Sequence, residues 1–455
     1  MLPENIRITF YATKQILKIL CSLIIEMCKL SHYGNCDEET KNEEYCIFHK
    51  PNKNEEEARE FYEKFLRRFK HHKEKIEDEL SEKRTRYVFE EDLDCKGFVF
   101  PEIREHAGFI FWNAKFLGNN EFSGAVFEGP IMFTGSVFEG SVDFSGTIFK
   151  DDVMFYEALF NGHVTFGKSL DKSGITIFEK SALFDKTIFR KGVWFNAELN
   201  NASFVETIFE GNVSFGDSLS ATIFKKGVTF ERAIFKKNVI FGATFRGFVS
   251  FIGTTFEGIT DFSIKNEKYK FYDEMSFLFA TFKRGIIMDI PSEWFKLPHA
   301  ETEARRVQRI CYEKEGKRDD ADRMFLLEKR ALRRARRMDA KEKSRIKYIY
   351  ECIRSFVEFL IADLTCKYGT SWRRAILLWT GVVLAMFPFL YFISNGVKVG
   401  SFLNYFYFSI VTATTLGYGD FHPVGWGKAL ASMEAIFGTF MWAVFIAVFA
   451  RKYMR

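Results

Sequence analysis

Two short stretches hold residue types that could do chemistry. The first is Thr414-Thr415-Leu416-Gly417-Tyr418-Gly419-Asp420. It offers hydroxyl and backbone carbonyl oxygens, and Asp420 is its one charge. Gly417 and Gly419 allow backbone conformations barred to most L-residues, so successive carbonyls can be turned to one side. A lane of neutral oxygens suits a cation that has shed its water. The second stretch holds Cys36, Cys46 and His49, with Cys28 before them. The Cys46-x-x-His49 spacing suits zinc, but the separation of Cys36 and Cys46 is not that of a standard knuckle. Reduced structural thiols are the main expectation there, and zinc the lesser one.

The first stretch lies between two apolar runs. Ala375–Ile393 is 19 residues without a formal charge. As a helix it reaches about 28 Å, close to a bilayer core. Pro388 lies inside it, which membrane helices tolerate. The second run, Ala429–Ala450, contains one charge, Glu434. Arg373 and Arg374 precede the first run, and Arg451 and Lys452 follow the second. A longer basic run stands upstream: Arg333, Arg334, Arg336, Arg337, Lys341, Lys343, Arg345, Lys347. It reads as juxtamembrane, in reach of anionic lipid. Basic flanks at one side place both chain termini in the cytoplasm and the protein in the cell membrane with two spans. The aromatic-rich Ser401–Ala413 suits a short helix between the spans.

This arrangement resembles the pore of two-helix potassium channels, with Leu416 in place of the commoner Val. The resemblance implies a homotetramer in which Thr415, Leu416, Gly417 and Tyr418 coordinate potassium and Gly419 completes the filter. Tyr418 is expected to face outward and brace against Tyr407 and Phe408. Thr414 and Asp420 are expected to support the filter from behind or at its mouth. Where the family often carries an acid one turn before the filter, this chain has Val411, which puts slow filter inactivation of the usual kind in doubt. Alignment on Trp426-Gly427 puts Gly438 at the family's hinge; the alternative is a small residue for close packing on the first span. Thr439, Trp442 and Ile446 are expected to line the cavity or gate. Glu434 is expected either to bond to the base of the pore helix or to act in conduction.

Upstream, phenylalanine dominates: 55 residues in 455. From Phe98 to Phe282 they recur at alternating steps of five and six, as in Phe116, Phe122, Phe127, Phe133 and Phe138. The residue two before each Phe is small in one series (Ala125, Ser136, Thr147) and β-branched in the other (Ile131, Val142, Val153). Each series repeats every 11 residues, with breaks near Leu170 and Ser218. Repeated Gly and β-branched residues oppose a long helix and suit short strands joined by tight turns. Phe and the residue two before it then share one face, and stacked coils would bury them in a column. The pattern resembles pentapeptide-repeat proteins with Phe at the central position. That implies a right-handed quadrilateral β-helix, here of about eight coils and about 40 Å.

Between rod and pore, His299–Glu315 and Arg318–Met338 read as amphipathic helices split by Gly316, and Tyr348–Leu364 as a helix lying in the membrane interface. A hypothesis follows that this segment passes rod motion to Gly438. Near the N-terminus, Asn54 caps a helix with Phe61, Phe65, Phe69, Ile76 and Leu80 on one face, suited to closing the rod's open end. The first 30 residues read as an amphipathic helix, with no cleaved signal peptide expected. Five residues follow Ala450, so a nucleotide- or calcium-binding domain after the second span is not expected. No run of regularly spaced arginines marks a voltage sensor.

The expected organisation is thus an N-terminal helical segment (1–95), a pentapeptide-repeat-like β-helix (96–290), a helical linker (291–370) and an all-α two-helix transmembrane pore domain (371–455). The expected function is a potassium-selective channel subunit whose partners are its own copies and membrane lipid. A membrane-tethered scaffold, whose rod binds a protein partner, is the alternative. Outward Lys225, Lys226, Lys236 and Lys237 disfavour DNA mimicry and nucleic-acid partners, and no catalytic constellation points to an enzyme.

Overall fold

The computed structural model describes residues 28–455 apart from 78–82, 103–109, 168–173, 217–220, 264–273, 289 and 454–455. The N-terminal amphipathic helix and the two breaks in the repeat therefore lie outside the described residues. The chain folds as two compact units, divided between Cys311 and Tyr312.

The first unit is a β-solenoid of about seven turns across residues 115–287, and Leu93–Asp94 and Val99–Phe100 pair in parallel ahead of it as part of a further coil. Its strands are two or three residues long in most coils, and successive coils pair in parallel, as Val142 with Val164 and Phe138 with Phe116. The rings form four columns. In one, Phe116, Phe138 and Phe160 stack with centroids 4.5 and 4.7 Å apart and planes within 1°. That spacing is the separation of paired strands, so each ring inherits its position from the backbone ladder. Almost every inward Phe is fully buried.

The small position before alternate Phe residues has a second role. Thr147, Thr187 and Thr207 donate their hydroxyls to the carbonyls of Phe122, Phe155 and Phe184 one coil earlier, at 2.6–2.7 Å. Thr176, Thr222 and Thr254 repeat the bond. A buried hydroxyl is thereby satisfied, where an unpaired one would cost about 1–3 kcal/mol.

The glycines divide into two kinds. Gly135 (φ +66°) occupies a left-handed turn position that recurs through the rod. Gly140 does not; a Cβ there would sit 2.4 Å from the Gly118 carbonyl oxygen, so its role is close approach of coils. On the outside, Lys225 and Lys236 pair with Glu198 and Glu210 at 2.6 and 2.7 Å. Part of the basic surface is therefore internally neutralised.

Both ends of the rod are covered. The helix Glu55–Arg68 starts at Asn54 with a capping box to Glu57 and lays Phe61 and Phe65 on Phe100 and Phe111, at 5.3 and 5.8 Å. It ends at Arg68, not near Leu80. His71–Glu77 is instead a strand, antiparallel to Lys83–Phe89, and that second strand pairs in parallel with Lys115–Phe116. An open sheet edge competes for this stretch, and ladder hydrogen bonds win over continuation of the helix. At the other end Trp294 and Phe295 are buried, and the buried Arg305 donates to the carbonyls of Met288 and Ile290.

The second unit is helical. Arg318–Lys343 is followed by Arg345–Glu358, which continues through a π-wound stretch, Phe359–Leu364. Then come Trp372–Ser394, Leu403–Ala413 and Gly427–Tyr453. Trp372–Ser394 and Gly427–Tyr453 are long and apolar enough to cross a membrane, and both are mostly unburied within the chain, as lipid-facing helices would be. Part of the upstream basic run is already paired: Arg333, together with Arg330 just ahead of the run, holds the buried Asp363, and Arg336 holds Glu358. Burial would raise the Asp363 carboxyl, but the Arg330 bond and both guanidinium charges outweigh it and hold it below its ordinary value. Arg333 and Arg336 thus have partners other than lipid.

Candidate ion pathway

Leu403–Ala413 enters between the two long helices and stops at Thr414, whose hydroxyl bonds back to the Ile410 carbonyl at 2.6 Å. The chain then turns out of the helix. Thr415 and Gly417 both have φ of +58°, and Gly419 has +82°. The N–H of Leu416 still reaches the Val411 carbonyl at 3.1 Å, which ties the start of this stretch to the helix. Its end is tied by Asp420, which accepts a 2.8 Å bond from the Tyr407 hydroxyl. Thr415, Leu416, Gly417, Tyr418, Gly419 and Asp420 are all exposed on the single chain.

The two aromatics expected to brace Tyr418 part company. Tyr407 engages Asp420, whereas Phe408 is buried and sets its ring edge-on to Tyr391 of the first long helix, 5.1 Å away. Phe408 therefore fixes the short helix within its own chain.

Glu434 is fully buried. It accepts hydrogen bonds from Tyr391 (2.7 Å) and from Ser409, whose hydroxyl also lies 2.6 Å from the Val383 carbonyl. One carboxylate thus joins three helices, at the flank of the short helix. Of the two roles expected for it, the geometry carries the structural one.

Gly438 faces the end of the short helix. A Cβ on it would lie 2.1 Å from the Ala413 carbonyl oxygen. The nearest contact is with the segment leading into Thr415, and Gly427–Tyr453 runs through it without interruption. A glycine kept only for bending would gain about 0.5–1 kcal/mol on replacement by Ala in a helix interior. Gly438→Ala is expected to do the opposite and lose about 1–3 kcal/mol through overpacking. Thermal unfolding in detergent reads the sign directly.

Thr439 and Ile446 are exposed on the same helix. Trp442 is half-exposed and lies beside Trp379 of the first long helix, with ring centroids 6.1 Å apart. Its placement is between the two long helices. The helix end is anchored within the unit: Arg451 bonds Asp322 and Lys452 bonds Asp319, each at 3.1 Å. No sequence pattern marks those pairs, since the partners stand more than a hundred positions apart.

In the first unit the structure gathers Cys28, Cys36, Cys46 and His49, whose ligand atoms all lie within 4.8 Å of one another. The sequence offered zinc at the last three only as the lesser expectation beside structural thiols, and Cys28 stood next to them without being counted as a ligand.

Residues 377–455 match the ion channel family, and residues 122–170 match pentapeptide repeats in nine copies. A 60-residue stretch is 37% identical to a protein of Plasmodium falciparum (isolate 3D7) called potassium channel K2. That match covers 12% of this chain and 4% of the length of that relative. No solved structure matches. The chain therefore carries an ion channel domain downstream of a pentapeptide-repeat solenoid.

Proposed function

We propose that the protein is a potassium-selective channel assembled from four copies of the chain. The observation that carries this reading is the stretch from Thr415 to Gly419. It combines left-handed backbone at Thr415, Gly417 and Gly419 with exposure on the single chain, between two apolar helices. One strand supplies only a quarter of each oxygen ring around a dehydrated cation, so copies must meet at this surface. Potassium is bound by the carbonyls from Thr415 to Tyr418 and by the Thr415 hydroxyl. The potassium channel name of the Plasmodium relative points the same way.

The cationic ends of the two spans, Arg373 and Arg374 on one and Arg451 and Lys452 on the other, put both flanks on the cytoplasmic side. The helix Arg345–Glu358 exposes Ile346, Ile349, Ile353 and Phe356, which suits a helix lying on the lipid surface. The solenoid then serves regulation or assembly from the cytoplasm.

The test is flux from liposomes holding the full chain, loaded with potassium and bathed in sodium. Selective potassium efflux is expected. Equal sodium and potassium flux would overturn selectivity, and a lasting absence of flux from a tetramer would favour a membrane-tethered scaffold.

A further inference from the structure

We propose that Cys28, Cys36, Cys46 and His49 hold a zinc ion through three thiolates and one imidazole, and that this ion clamps the chain's N-terminal segment onto the first coil of the solenoid. The His49 Nδ1 lies 3.4, 3.7 and 3.0 Å from the sulfurs of Cys28, Cys36 and Cys46. Bond lengths of about 2.3 Å to sulfur and 2.0–2.1 Å to nitrogen give tetrahedral edges of about 3.5–3.8 Å. The separations from Nδ1 to the Cys28 and Cys36 sulfurs are close to that edge, the one to Cys46 is shorter, and all four ligand atoms lie within 4.8 Å of one another.

The surroundings are those of a built site. Cys28, Cys46 and His49 are buried, and Cys36 is partly so. The other ring nitrogen of His49, Nε2, faces the Lys96 carbonyl at 3.4 Å. With the ring proton there, the Nδ1 lone pair is left to point among the sulfurs. Asn35 donates to the same Lys96 carbonyl at 3.0 Å, which holds that strand end in place. Backbone N–H groups of Asp37, Phe48 and His49 are directed at the Cys46 sulfur. Three sulfurs around one nitrogen exceed what a disulfide uses, and all three thiols are free. Three thiolates and one imidazole in tetrahedral array select zinc over the oxygen-seeking cations.

The segment has reason to need such a clamp. Among its described residues from Cys28 to Asn54, regular structure is limited to the single turn Ser31–Tyr33. Phe48, between two of the ligands, stacks on Phe98 at 4.6 Å, and its carbonyl accepts the Val99 N–H at 2.8 Å. The ion would therefore seat the ring and the carbonyl that continue the first coil. Ion binding becomes folding free energy for this cap.

The test is metal analysis of the full chain, purified in detergent without chelators. About one zinc per chain is expected. Cys46→Ser and His49→Ala are expected to abolish it, and Cys352→Ser, outside the cluster, to retain it. If the two ligand variants fail to fold, cobalt(II) exchanged into the unaltered protein decides. A tetrahedral thiolate site then gives intense visible absorption, which disappears when zinc is added back. Absence of zinc together with a weak, octahedral cobalt spectrum would overturn the proposal. So would a zinc content that Cys46→Ser and His49→Ala leave unchanged in folded protein.

Discussion

Gly417→Val is expected to abolish potassium flux while leaving the solenoid's thermal transition unchanged. Gly417 sits at φ +58°, where an L-residue meets its own backbone at a cost of about 1–2 kcal/mol, and a β-branched residue fares worst. In an assembly of four the same strain falls on every strand around one ion, so about 4–8 kcal/mol acts on a single site. The strands relieve it by turning the peptide, and the carbonyl leaves the ion path. Nothing within 4 Å of the Gly417 Cβ position on its own chain opposes the side chain. The folding of each subunit is thus spared and the damage is confined to conduction. The liposome assay reads the flux, and circular dichroism of the same sample reads the solenoid. Undiminished flux would mean that ions pass elsewhere.

Phe155→Ala is expected to destabilise the solenoid by about 3–5 kcal/mol. Its ring is fully buried, stacked between Phe133 and Phe184 at 5.0 and 4.9 Å, with Phe144, Phe160 and Phe166 around it. Truncation leaves a cavity that the ladder above and below cannot close, because the coil spacing is set by backbone hydrogen bonds. A solenoid contacts only its nearest neighbours, so the loss should show as local opening, with protease cutting near the turns beside residue 155. Phe155→Leu is expected to cost under about 1.5 kcal/mol. The chain contains its own precedent: Leu199 stands, fully buried, in register between Phe178 and Phe224 in a neighbouring column. Urea titration of the three proteins would show the order. An Ala variant as stable as the Leu variant would contradict the column as the source of stability.

What could be read before the structure was what repeats or what is long. The ring columns announce themselves because each Phe answers to the same two neighbours, and the spans because apolar length has one physical use in a bilayer. Single contacts leave no such trace. The bond from Thr147 to the Phe122 carbonyl was visible only as a preference for small residues. The approach of Gly438 to Ala413 depends on where two helices cross, which no spacing within either one states. Cys28 joins Cys36, Cys46 and His49 through an irregular loop, so its distance along the chain carried no signal. The strand His71–Glu77 was misread for a related reason: its partner lies at the rod's edge, and that edge exists only once the coils have stacked.

The two periods of the rod also bear on how such a chain can change over generations. The sequence repeats every 11 residues, but a regular coil takes 22, as from Phe116 to Phe138. Loss or gain of one 11-residue unit would keep every ring inward and every small position under its ring, since the two halves of a coil obey the same rule. It would, however, deliver whatever follows to the opposite side of the rod. Drift in the repeat number is thus silent to the core and read only by the geometry of the exit, so its parity, rather than its composition, is what selection on the attached channel domain would preserve.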